Sequence, residues 1–185
     1  MDRLNPETSL LLVVDVQERL LAAMSEGARS RLLANAEVLL EAARLLGVKV
    51  VATEQYPKGL GHTAAPLAAK LGALGVTPIS KLDFDAMGEP HVARAVHQAE
   101  ARSVVLVGME AHVCIFQTAR ELARRGYVTH VVADAVASRT EDNRDAGLRL
   151  CERAGAVVTV TETVVFDWLR RAGSDSFKQL SKLIR

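Results

Sequence analysis

Aromatic side chains are scarce in this chain: one Trp, two Tyr and four Phe among 185 residues. A core must therefore be built from Leu, Val and Ala, which suits the 49% apolar content. Cysteine is scarcer still, at two residues, Cys114 and Cys151. Two cysteines in a chain this long exclude a disulfide framework, and reduced thiols in a cytoplasmic setting are the expectation. An excess of one charge is also lacking. Lys plus Arg number 23 and Asp plus Glu 22, a formal net charge of +1. That balance gives no electrostatic reason to expect nucleic acid or an anionic membrane as partner, and its weak repulsion is compatible with a homo-oligomer. No apolar run reaches the roughly 18–20 residues of a membrane span, and the opening MDRLNP has no secretory-type apolar run. These features leave one globular domain over residues 1–185 as the expectation.

Short apolar runs are what the chain does have. SLLLVVDV, residues 9–16, is continuous enough for a strand buried on both faces. Residues 48–53, 77–81, 103–107, 127–133 and 156–160 read as further strands. Between them, residues 18–46 are helical in pattern, with Gly27 the expected break and Gly47 a C-terminal cap. Helices are also expected over 66–71, 90–100, 112–125 and 142–154, with two more over 163–170 and 175–184. Residues 54–63, EQYPKGLGHT, and 82–89 read as loops. The alternation predicts an α/β fold of three layers, with a mostly parallel, Rossmann-like sheet between helices.

Ligands of such sheets bind at the carboxyl ends of the strands. Three reactive side chains fall there. Asp15 interrupts an apolar run and suits either a general base or an acid in the first turn of the next helix. Lys81 ends a strand and suits either a site cation or an ordinary solvated lysine. Cys114 opens a helix, where the helix N-terminus would lower a thiol pKa; the alternative is a small buried apolar residue. Gln17, Tyr56, Phe84 and His112 are candidate pocket residues. Cys151 reads as packing, and Trp168 as packing or part of an interface, together with the apolar stretch 164–169.

Four segments carry a resemblance: LLVVDVQ (11–17), ATEQYPKGLG (52–61), SKLDFDA (80–86) and VGMEAHVCIFQTA (107–119). With the order Asp, Lys, Cys, the chain resembles the isochorismatase-like cysteine hydrolases, which include nicotinamidases and N-carbamoylsarcosine amidohydrolases. The resemblance implies a catalytic triad of Asp15, Lys81 and Cys114. It implies a cis peptide between Met109 and Glu110, and an oxyanion hole made by the backbone N–H groups of Glu110 and Cys114. The implied reaction is hydrolysis of a small amide or related acyl C–N bond through a thioester on Cys114.

One segment departs from the nicotinamidases. They carry a metal-binding Asp-x-His in the loop after the second strand, whereas this chain reads Glu54-Gln55-Tyr56 and keeps only His62 nearby. One Glu and one His are a poor zinc site, so neither metal nor other cofactor is expected. The alternatives are a non-catalytic scaffold and a redox-sensing module that kept the fold. A phosphoacceptor receiver domain is disfavoured, because the first strand ends in one acid and Gly-Met-Glu follows the strand ending at Val107.

Overall fold

Uninterrupted apolar runs become strands covered on both sides, and β1 (Ser9–Val14) is buried at every position. Its side chains alternate with the period of two that a strand imposes. Leu11 and Val13 enter one apolar layer, and Leu10, Leu12 and Val14 the other. In the computed structural model, which describes residues 3–184, this strand lies at the centre of a six-stranded sheet. The others are β2 (Lys49–Gln55), β3 (Ile79–Lys81), β4 (Ser103–Met109), β5 (Val128–Ala137) and β6 (Val157–Thr159), in the order β3-β2-β1-β4-β5-β6. Every pairing is parallel.

Helices cover both faces, giving the three-layer α/β architecture expected. One layer holds α1 (Glu18–Ala22), α2 (Glu26–Leu46), α4 (Ala65–Ala73), α8 (Thr161–Leu169) and α9 (Asp175–Leu180). The other holds α5 (Pro90–Gln98), α6 (Phe116–Arg124) and α7 (Glu141–Arg153). A four-residue helix, α3 (Pro57–Leu60), sits in the loop after β2. Among the described residues no helix is long and apolar enough to cross a membrane. Val164, Val165, Trp168 and Leu169 are buried against the chain's own sheet, with the Trp168 indole donating to Ser9 Oγ at 3.1 Å. Cys151 is fully buried in the layer of α5 to α7.

Several expectations shift at element ends. The helical break falls at residues 23–25, not at Gly27, because Ser25 caps α2 by accepting from the Ala28 amide. β1 stops at Val14 because Asp15 takes a left-handed backbone, φ 54°. The helix expected over 112–125 opens instead with a π turn, Ala111–Ile115. β2 runs on through Glu54 and Gln55, since polar residues at a strand's carboxyl end still complete the ladder, and β5 runs on through Ala137, whose apolar end pairs with Gly108 and Met109 of β4.

The strand order reverses its winding between β1 and β4, which opens a crevice beyond their carboxyl ends. There the two backbones approach unusually closely. Gly108 has φ 123°, and a Cβ on it would overlap the Val14 carbonyl oxygen. Gly47, at φ 72°, has open space where its Cβ would stand. Gly108→Ala is therefore expected to cost about 3 kcal/mol or more, and Gly47→Ala only the left-handed penalty of about 1–2 kcal/mol. Urea midpoints of the two variants check the order; equal losses would contradict the close approach.

Candidate active site

The left-handed turn at Asp15 aims its carboxylate sideways under the strand ends, where it is completely buried. Burial of a carboxylate requires partners. Oδ1 accepts from Thr53 Oγ1 at 2.7 Å, and Oδ2 lies 2.7 Å from Lys81 Nζ. Lys81 arrives from the far side of β2, at the end of β3, and its side chain is also 0% exposed. Its ammonium group donates to Gln55 Oε1 at 2.6 Å and to the Asp83 carbonyl at 3.1 Å. Gln55 Nε2 in turn donates to the Leu82 carbonyl. Thr53 and Gln55 are two residues apart on β2, hence on one face, and that face completes the ion pair.

Cys114 is delivered by β4. The Met109–Glu110 peptide is cis, and the chain then enters the π turn that carries the thiol, 5% exposed. Helix α7 presses against this turn: a Cβ on Gly147 would meet the Ala111 carbonyl carbon and the His112 amide nitrogen at 2.6 Å. The thiol pKa is pushed up to about 12, first by burial and then by the negative charge of Asp15. Lys81 and the Glu110 backbone amide pull it down, while the contact of the thiol with the Asp15 carboxylate holds the proton on. The lowered pKa expected of a helix N-terminus is thus corrected: burial and a neighbouring carboxylate outweigh the helix end.

A cleft of about 440 Å³ opens over Cys114, with Leu20, Leu60, Phe84 and Val113 as apolar wall and Arg19 and Arg139 at its rim. Of the pocket residues expected from sequence, Phe84 lines it. Gln17 does not: it is 0% exposed, and its amide is spent on the backbone of Gln55 and Gly61. Tyr56 does not line it either, because its left-handed backbone folds the ring over Gly59. His112 is engaged elsewhere, with Nδ1 3.0 Å from Ser138 Oγ and Nε2 3.6 Å from Glu110 Oε2. Thr53, Gln55, Arg19 and Arg139 are the residues that sequence reasoning missed. Polar residues alternating at the end of an otherwise apolar strand were the available signal for the first two. Another cleft, about 490 Å³, lies between α2 and the start of α8, but it holds no nucleophile, and its Asp134 is occupied by the Thr161 amide and hydroxyl.

His62 is exposed and paired with Glu54 at 3.1 Å, and Glu54 also accepts from the Thr63 amide and hydroxyl. Among the described residues no three His, Cys, Asp or Glu side chains are grouped as metal ligands would be.

A doubly wound parallel sheet with an acid, a lysine and a cysteine converging at its switch point defines an isochorismatase-like α/β protein. The Isochorismatase domain family matches residues 9–163, and the chain belongs to that family, whose members are generally hydrolases. It is 36% identical over 182 residues to isochorismatase domain-containing protein 2 of Danio rerio, covering 98% of this chain and 89% of that one. A structure described as the MAR1 ribonuclease of Caenorhabditis elegans superposes with a TM-score of 0.91 at 36% identity, covering 99% of this chain and 92% of the other. The octameric YcaC hydrolase of Escherichia coli, of unknown specificity, shares the fold with a TM-score of 0.90 at 20% identity, covering 98% of this chain and 90% of the other.

Two outcomes follow from the geometry. Because the thiol pKa is raised, the thiolate fraction climbs throughout the neutral range. Alkylation of Cys114 by iodoacetamide should then rise from about pH 6 to about pH 10 without levelling near the ordinary thiol value of about 8.5. Asp15→Asn removes the neighbouring negative charge and leaves Lys81 facing the sulfur, so its alkylation profile should shift to lower pH. A wild-type plateau near pH 8.5, or an unshifted variant, would contradict the raised pKa. Gln55→Ala removes a charge-assisted hydrogen bond from buried Lys81, and its urea midpoint should report a loss of about 1–3 kcal/mol.

Proposed function

We propose that the chain is a cysteine hydrolase acting on a small-molecule amide or related acyl C–N bond, with Asp15, Lys81 and Cys114 as its triad. One observation carries this reading: a buried carboxylate, clamped by a buried ammonium group at 2.7 Å, in contact with a thiol beneath an open cleft. A base, a counter-cation and a nucleophile so arranged do what covalent acyl transfer requires.

In this mechanism Asp15 takes the proton of Cys114 as the sulfur attacks the carbonyl carbon. The C=O electron pair moves onto oxygen, which the backbone N–H groups of Glu110 and Cys114 hold. Collapse of that intermediate breaks the C–N bond, and the departing amine takes the proton from Asp15. Water then attacks the thioester, giving a proton to Asp15, and collapse expels the thiolate. The sulfur recovers its proton and the acid leaves. Lys81 offsets the changing charge on Asp15 and sulfur throughout.

The raised thiol pKa runs against a redox sensor, which works through an accessible thiolate. Near-neutral overall charge supports a small molecule over a polyanion. Self-association belongs to the same reading, supported by the octameric state of the Escherichia coli neighbour.

The test is turnover of a panel of small amides, with intact-mass detection of an acyl adduct on Cys114. Cys114→Ala and Asp15→Asn should each lower turnover by about a thousandfold or more while the fold persists. Full activity in either variant overturns the assignment. Degradation of RNA by wild type that is lost in Cys114→Ala would replace the amide reading with a nuclease one.

A further inference from the structure

The ladder between β4 and β5 ends at the pair Met109 and Ala137, and side chains carry the connection further. Glu110 follows Met109, and Ser138 and Arg139 follow Ala137. The Glu110 side chain is 8% exposed, and its Oε1 lies 2.8 Å from Arg139 Nε. His112, in the turn that carries Cys114, bridges the two segments. Its Nδ1 is 3.0 Å from Ser138 Oγ and its Nε2 is 3.6 Å from Glu110 Oε2. The far side of this bridge is well anchored. Ser138 is buried, and Thr140 caps α7 by accepting from the Asn143 amide.

The partners of the ring assign its proton. An ionised carboxylate only accepts, whereas a hydroxyl donates or accepts. A proton on Nε2 therefore faces Glu110, and a bare Nδ1 accepts from the Ser138 hydroxyl. The opposite tautomer would set the Nε2 lone pair against a carboxylate oxygen. Glu110 Oε2 is buried and has no hydrogen-bond partner among the described residues. A buried acceptor without a donor is costly, and a ring movement of about half an ångström would bring Nε2–H to hydrogen-bond distance.

The backbone of Glu110 is the part that meets the thiol. Its carbonyl accepts from the Val113 and Ile115 amides at 3.0 and 3.2 Å, which ties it into the turn. Its amide faces the Cys114 sulfur.

We propose that His112 is a positioning residue: as its Nε2–H tautomer it joins Ser138 to the Glu110 carboxylate, and so fixes the Glu110 amide toward the sulfur and the developing oxyanion. The proposal deepens the hydrolase reading and rests on it for the oxyanion. Both ring nitrogens are turned to Ser138 and Glu110, so His112 acts through Glu110 and not on the substrate. Support for an oxyanion donor matters most in the transition state, so its loss lowers kcat more than it changes KM.

Three measurements test it. NMR of the ring nitrogens at about pH 8, where an ordinary imidazole is neutral, should show His112 with a proton on Nε2 and none on Nδ1; the signal is assigned by its absence from His112→Gln. A proton on Nδ1 overturns the proposal, whether or not any other variant folds. Alkylation of Cys114 by iodoacetamide at about pH 9 should slow by about threefold or more in His112→Leu, because the amide that favours the thiolate is loosened. His112→Gln, whose amide can donate to Glu110, should recover most of the rate. On an amide that wild type turns over, His112→Leu should lower kcat by about tenfold or more with KM within about twofold, and His112→Gln should recover most of kcat. Unchanged alkylation and kcat in His112→Leu, or equal losses in the Leu and Gln variants, overturn the proposal. The expected tautomer and alkylation rates with no amide turned over support the positioning role and overturn the hydrolase reading alone.

Discussion

The buried pair of Asp15 and Lys81 is the constraint around which the carboxyl edge of the sheet is organised. Neither side chain is exposed, so each depends on the other; removing one partner of such a pair costs about 3–5 kcal/mol. The two residues come from β1 and β3, with β2 between them. The short edge strand β3 must therefore hold its register against β2, Gln55 beside Lys81, for the ammonium group to arrive. Thr53 and Gln55 supply the remaining hydrogen bonds from the intervening strand. A three-residue edge strand has little apolar area to define its register. Charge pairing does that here.

Cys114 is held by a different means, shape. Gly108 lets β4 approach β1 just before the cis peptide, and Gly147 lets α7 press on the π turn that carries Cys114. Close packing on two sides leaves this turn little room. The acid and its lysine are thus positioned by electrostatics and the thiol by steric fit, and the two systems meet in the contact between Cys114 and Asp15.

Much of this was legible in the sequence because it depends on pattern. Unbroken apolar runs such as residues 9–14 announce strands covered on both faces, and their alternation with helices announces the parallel sheet. The positions of Asp15, Lys81 and Cys114 near strand ends follow from the same pattern. Side-chain direction at a turn does not. Tyr56 points over Gly59 because of its φ of 38°, and Gln17 is consumed by backbone groups of residues 55 and 61. No spacing rule encodes either. The ionisation of Cys114 was not legible for a related reason: the helix start is a local feature, whereas burial and the Asp15 charge come from distant segments folding around the thiol.

A thiol that rests protonated is chemically quiet. At neutral pH the Cys114 sulfur is held as a thiol, 5% exposed, beside a carboxylate that discourages ionisation. Peroxide and general electrophiles act on thiolates, so this cysteine should persist unmodified where exposed low-pKa cysteines are oxidised, and surveys that rank cysteines by labelling with neutral reagents would file it among structural residues. The site trades readiness for durability: burial and a neighbouring negative charge keep the sulfur out of general chemistry.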